Sequence, residues 1–226
     1  MKIAMCFYGE LRSLEFLNSD YTNNTHFDFF ISAGTSKYSS DDINIDFKYS
    51  NFELDTQHSP IKVKNLVHNN RVAKACYHIN KVVRLKEKYE IENKFAYDVV
   101  ILLRTDFKYD IDYLLKYCKK VYKVSNEIGV KPVCFVRTQP EYFEDYQDKL
   151  LGIAQDDLFI HNNEGANLHA NLYNSLFLQK NADKTKIKFD EITDNGHWVH
   201  CFLLTKYPFH IIFDNTVKWT KKILTL

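Results

Sequence analysis

Val99, Val100, Ile101, Leu102 and Leu103 form an unbroken apolar run between Asp98 and Arg104. A strand with one wet face alternates apolar and polar side chains. A short continuous run instead reads as a strand covered on both faces, as in the middle of a parallel sheet. Arg104, Thr105 and Asp106 follow at once. Residues two apart on an extended chain project the same way, so Arg104 and Asp106 leave the strand as a pair. Open α/β sheets bind ligands beyond the carboxyl ends of their strands. This stretch therefore offers a fixed guanidinium and a fixed carboxylate where such sheets take a ligand. A structural salt bridge at the sheet edge is the competing reading.

The rest of the chain has the material for such a sheet. Its 226 residues suit one domain, and 45% are hydrophobic, enough for a substantial core and too many for global disorder. Only 6 glycines and 4 prolines leave little for flexible linkers. With 30 basic and 29 acidic residues the net charge is +1, so no general attraction to nucleic acid or an anionic membrane is expected. Cys6, Cys76, Cys118, Cys134 and Cys201 are scattered, odd in number and without a CxxC pair. That is the usage of free thiols in a reducing compartment rather than of disulfides or zinc. The apolar start at 3–8 is too short for a secretory core, and no run is long enough to span a bilayer. A cytoplasmic protein with no transmembrane segment is the expectation. Frequent Asn, Lys, Ile and Tyr suggest an AT-rich genome, viral or bacterial. Oligomeric state is not read from the sequence.

Taken in order, residues 2–8 form a first buried strand ending at Gly9, Glu10, Leu11 and Arg12. A glycine there lets backbone approach a ligand closely, and Arg12 has the reach to grip a phosphate bidentately. A plain strand-to-helix turn with a surface arginine is the alternative. Residues 26–32 are a second strand, followed by a small-residue loop at 33–36. Residues 37–60 are polar, with an irregular strand near 43–49. Residues 65–89 are the clearest helix. Val72, Cys76, Ile79 and Val83 share one face, and Lys74, Lys81, Arg84, Lys86 and Lys88 fill another, which predicts a solvated basic side. This helix leads into the strand at 98–103 as a right-handed parallel crossover. Beyond it the pattern predicts a short helix at 109–117, strands at 121–124 and 131–137, and a loop at 139–149. A strand at 154–161 opens with Asp156 and Asp157. Helices at 163–177 and 193–206 and a strand at 209–213 complete the chain. His197 and His200, three apart, fit metal ligation or, more commonly, core or surface histidines.

Asp106 suits Mg²⁺ or Mn²⁺, hard ions held by oxygen, typically one or two carboxylates completed by phosphate and water. Arg104 and Arg12 suit a diphosphate. Asp156 and Asp157 suit general-base work, since neighbouring carboxylates raise one another's pKa toward the range where a base is most effective. A turn or capping pair is the plainer alternative. GxGxxG, GxxxxGK[ST] and GxSxG are absent, which removes the main support for dinucleotide oxidoreductases, P-loop NTPases and elbow-type serine hydrolases.

Several pieces now stand in order. Gly9-Glu10-Leu11-Arg12 closes the first strand, and Phe27-Asp28-Phe29-Phe30-Ile31 forms the second. A long helix follows, then Tyr-Asp-Val-Val-Ile-Leu-Leu-Arg-Thr-Asp at 97–106, then Asp156-Asp157 with Phe159 ahead of a helix. Together they resemble a group of bacterial and large-virus glycosyltransferases, which includes polysaccharide and lipopolysaccharide-type enzymes and chlorella-virus capsid-glycan enzymes. The resemblance spans most of the chain. It implies an α/β, GT-A-like (Rossmann-like) fold in a single domain, with a mostly parallel central sheet flanked by helices. Residues 1–107 would form the nucleotide-sugar-binding part and 108–226 the acceptor-side part. It implies a nucleotide-sugar donor, commonly a UDP sugar, a glycan acceptor, and a divalent metal, commonly Mn²⁺, at Asp106. The family's metal motif is usually Asp-x-Asp after a central strand. Here that place reads Arg104-Thr105-Asp106, so an arginine stands where the first carboxylate is usual and could take over part of the charge neutralisation. Gly9 and Arg12 match the region that cradles the nucleotide, and Asp157 or Asp156 the acceptor-side base. The expected activity is transfer of a hexose or deoxyhexose to a glycan. A nucleotidyltransferase on a similar sheet and a non-catalytic sugar- or protein-binding module are the competing classes.

Overall fold

The computed structural model describes residues 1–12, 14, 17, 21, 24–35, 38, 40–54, 61–63, 66–68, 71–138, 154–174, 207 and 209–214. In chain order the elements are β1 (Ile3–Glu10), β2 (Phe27–Thr35), β3 (Phe47–Leu54), the short strands β4 (Ile61–Val63) and β5 (Leu66–His68), α1 (Arg71–Asn93), β6 (Val99–Arg104), α2 (Ile111–Tyr122), β7 (Val133–Thr138), β8 (Ala154–Asn162), α3 (Asn163–Tyr173) and β9 (His210–Asp214). Seven strands make one sheet in the order β3-β2-β1-β6-β8-β7-β9. All run parallel except β8, which is antiparallel to β6 and β7. β4 and β5 pair separately as an antiparallel ribbon. The expected α/β class, a mostly parallel sheet flanked by helices, is the one observed.

The apolar run of β6 is divided between the two faces. Val99, Ile101 and Leu103 join one core cluster with β1, β2 and α2, together with Leu11, Leu17 and Tyr21 from the segment after β1. Val100 and Leu102 join the other, against Ile79, Val82 and Val83 of α1 and Ala166 and Ala170 of α3. Burying both faces explains why β6 has no polar alternation. α2 starts at Asp110, whose side chain accepts from the Tyr113 backbone N–H. Asn162 caps α3 in the same way through Gly165, satisfying amides that have no partner inside the helix. A Cβ on Gly165 would lie 2.9 Å from the Val133 carbonyl oxygen, so glycine lets α3 seat directly against β7.

Several boundaries differ from expectation, each for a local reason. Residues 33–35 extend β2, because Ala33, Gly34 and Thr35 pair with β3. β3 lies later than 43–49. The first helix begins at Arg71, since the β4–β5 ribbon occupies the residues before it, and runs on to Asn93. Its basic side is not uniformly solvated: Lys86 is fully buried and Lys74 buried, because α3 packs on a second face of α1. Residues 121–124 are not a strand. Leu114, Tyr117, Cys118 and Val121 are buried at helical spacing, and Lys123–Glu127 continues α2 as one wider turn. The expected loop at 139–149 and helix at 193–206, with His197 and His200, lie outside the described residues. Cys6, Cys76, Cys118 and Cys134 are buried, and burial raises the Cys6 pKa to about 12. Among the described residues no helix is long and apolar enough to cross a membrane.

Candidate functional site

β1 and β6 are neighbours in the middle of the sheet, and the chain leaves them in opposite directions. After β1 it goes to β2 on one side, and after β6 to β7 on the other. The crevice outside the carboxyl ends of two such strands is where open α/β sheets take ligands. Gly9 sits on its rim with φ +106°, a left-handed conformation that glycine adopts without strain. No atom lies within 4 Å of where a Cβ would stand, so the backbone there is open to approach. The rim is tied together by backbone bonds. Thr105 N–H donates to the Tyr8 carbonyl at 3.1 Å, and Leu11 N–H to the Gly34 carbonyl at 2.8 Å. The Thr105 hydroxyl donates to the Glu10 carbonyl at 2.7 Å.

Four charged side chains meet at this rim. Arg104 grips Asp106 with both arms of its fork, Nε to Oδ1 at 3.0 Å and Nη2 to Oδ2 at 2.8 Å. Arg12 reaches Asp106 from the other strand, Nη1 to Oδ2 at 3.6 Å, and its Nε donates to Glu10 Oε2 at 3.3 Å. The Arg104 guanidinium carbon lies 5.1 Å from the centre of the Phe107 ring. Asp106 is the deepest member, with a side chain 6% exposed against 18% for Arg104 and 24% for Arg12. The carboxylate is therefore a floor and the two guanidiniums are the wall above it. The salt bridge anticipated as the alternative to a ligand site exists, but it holds a second arginine as well, and both guanidinium side chains are partly exposed.

Asp106 is poorly placed to hold Mn²⁺ as expected. Both of its oxygens already accept from Arg104, and one also faces Arg12. A cation about 4 Å from a guanidinium meets a repulsion of about 4 kcal/mol per unit charge at an effective dielectric near 20. Among the described residues no group of three or more His, Cys, Asp or Glu side chains is arranged to hold a metal ion. The donor set around Asp106 does not fit the ion that the resemblance implies.

The register of the ladders aligns a polar row across the same end of the sheet. Asn51 pairs with Ser32, Ser32 with Tyr8, and Tyr8 with Arg104. Leu103 pairs with Leu158 in the antiparallel ladder, and the same register carried one step further sets Arg104 across from Asp157. Asp157 is fully buried, and its Oδ2 accepts from the Tyr109 hydroxyl at 2.5 Å. Asp156 precedes it on β8, with its side chain outside the described set.

Sequence reasoning missed the polar residues that surround this row. His78 of α1 lies with Nδ1 3.0 Å from Ser32 Oγ, and Asn51 donates to both Ser32 and Glu53. Glu53 also accepts from the Tyr77 hydroxyl at 2.5 Å. Burial and this bond raise the Tyr77 pKa, and burial lowers that of His78 to about 4. The one available signal was the alternation Asn51, Phe52, Glu53, which marks polar positions on one face of a strand.

No protein-family model matches the sequence, and no curated protein does. Among solved structures the chain is similar to one described as a nucleotide-diphospho-sugar transferase from Desulfovibrio desulfuricans G20, at 8% identity and TM-score 0.38, covering 94% of this chain and 80% of that one. It is also similar to one described as a glucose-1-phosphate thymidylyltransferase from Bacillus anthracis, at 10% identity and TM-score 0.41, covering 95% and 87%. Neither likeness reaches the level at which substrates or residue roles transfer.

Proposed function

We propose that the protein is a glycosyltransferase that moves a hexose or deoxyhexose from a nucleotide sugar, a UDP sugar by expectation, to a glycan acceptor. The observation that carries this reading is the convergence of Arg12 and Arg104 beside the open backbone of Gly9, at the crevice where β1 and β6 diverge. Guanidinium forks match phosphate oxygens in geometry and charge. Charge gathers on the leaving diphosphate as the sugar bond breaks, and fixed cations there act on the transition state. In this reading Asp157 takes the acceptor proton across the Tyr109 hydroxyl that it already holds.

The test is product analysis with a panel of UDP, GDP, CDP and dTDP sugars and the full chain. Release of a nucleoside diphosphate, with or without a glycan acceptor, is expected. Arg104→Met should lower it by roughly a hundredfold or more, and Asp157→Asn should lower transfer by about 10²–10⁴-fold, both with an unchanged circular dichroism spectrum. Release of pyrophosphate from a parallel panel of nucleoside triphosphates with a hexose 1-phosphate would identify a nucleotidyltransferase instead. Binding of sugar without any turnover would identify a non-catalytic module.

A further inference from the structure

We infer that this crevice neutralises its anionic ligand with Arg12 and Arg104 rather than with a divalent ion, and that Asp106 is the positioning residue that holds both guanidiniums. The inference rests on the reading of the crevice as a diphosphate site. An ion bound to Asp106 would have to sit beside the Arg104 fork, because that fork already takes one lone pair of each carboxylate oxygen and Arg12 faces Oδ2 as well. Glu10, the other carboxylate of the cluster, is engaged by Arg12. The depth order matters as well. With Asp106 nearly covered and the arginines nearer the opening, an entering anion meets guanidinium before it meets carboxylate.

The arrangement also assigns a role to Glu10. Two guanidiniums and two carboxylates meet here, so an incoming diphosphate competes with the carboxylates for the same donors. Asp106 is held by a bidentate pair. Glu10 is 28% exposed and joined to Arg12 by a single longer contact of 3.3 Å. Glu10 is therefore the group that yields, freeing Arg12 for the ligand, and removing its charge should strengthen anion binding. A residue that served as a metal ligand would give the opposite sign.

Calorimetric titration of the full chain with inorganic pyrophosphate and with UDP, in EDTA and again with MnCl₂, decides the matter. Both probes should bind in EDTA, and Mn²⁺ should change neither affinity by more than about threefold. Glu10→Gln should tighten pyrophosphate binding by roughly threefold to tenfold, while Arg104→Met weakens it by roughly tenfold or more. Arg104→Lys, which keeps the charge and loses the fork, should fall between wild type and Arg104→Met. Binding that requires Mn²⁺, or weaker binding in Glu10→Gln, overturns the inference and leaves the diphosphate reading standing. Failure of both probes to bind wild type under either condition overturns the diphosphate reading itself.

Discussion

His78 is a neutral imidazole held inside the protein, and its consequence for stability has a definite sign. Burial lowers its pKa from 6.5 to about 4. Between those values the unfolded chain binds a proton that the folded ring refuses. Stability from this residue is therefore complete above the unfolded value and declines as pH falls toward 4, by about 1 kcal/mol per pH unit. His78→Gln should remove that part of the slope. Urea unfolding of both proteins at about pH 5 and about pH 7 would check it, with the gap between them larger at the higher pH. At this scale the readable contacts were the local ones. Arg104 and Asp106 meet because the chain turns directly after β6, with Phe107 N–H donating to the Arg104 carbonyl at 3.2 Å, and so keeps residues two apart in sequence together. Ser32 and His78 meet across 46 residues, and no spacing rule on either element points to the other.

Along α1 the same contrast decides what a helix pattern can reveal. The apolar stripe through Cys76, Ile79 and Val83 marked the side that rests on the sheet. It did not reveal that α3 would cover a second side and bury Lys86. That ammonium donates to Glu90 Oε2 at 2.9 Å and to Asn163 Oδ1 at the start of α3. Glu90 Oε1 accepts from the Tyr97 backbone N–H at 2.8 Å and from Asn163 Nδ2 at 3.0 Å. Glu90 thus joins α1 both to α3 and to the entry of β6. Removing one member of a buried ion pair strands the other in a poorly solvating interior. Glu90→Leu should cost about 3–5 kcal/mol, because Lys86 keeps only an amide oxygen. Lys86→Met should cost less, because Glu90 retains two donors. Denaturant titration of both variants gives the order, and the reverse order would show that Lys86 escapes to solvent. Strands were easier to find than helix ends for a related reason. A buried strand must be apolar throughout, whereas Val121 and Tyr122 are apolar in either state and only their spacing from Leu114 and Cys118 favours a helix.

Across the molecule, one sheet joins strands from both halves of the chain, and the point where its connections diverge sets where a ligand can sit. That point was readable in advance because β1 and β6 are the two most continuous apolar runs and both end in charge. The single reversed strand, β8, was not readable, since an apolar run has no direction. Its reversal matters for the crevice: it brings the start of β8, with Asp157, to the same end of the sheet as the close of β6. A ligand held between β1 and β6 would meet the loops that tie β6 to β1 through Thr105 and β1 to β2 through Leu11. Its binding energy should therefore appear in the unfolding of the whole sheet rather than of one edge. A nucleotide sugar at a hundredfold excess over its Kd should add about 3 kcal/mol, which for a chain of this size raises Tm by roughly 5–10 °C. The shift should shrink as salt rises, because partly exposed guanidinium–phosphate contacts are screened. It should fall by about half or more in Arg104→Met, through the weaker affinity, and survive in Lys86→Met, whose buried pair lies on α1 away from the crevice. A shift of equal size in Arg104→Met would mean that the ligand binds somewhere other than the β1–β6 crevice.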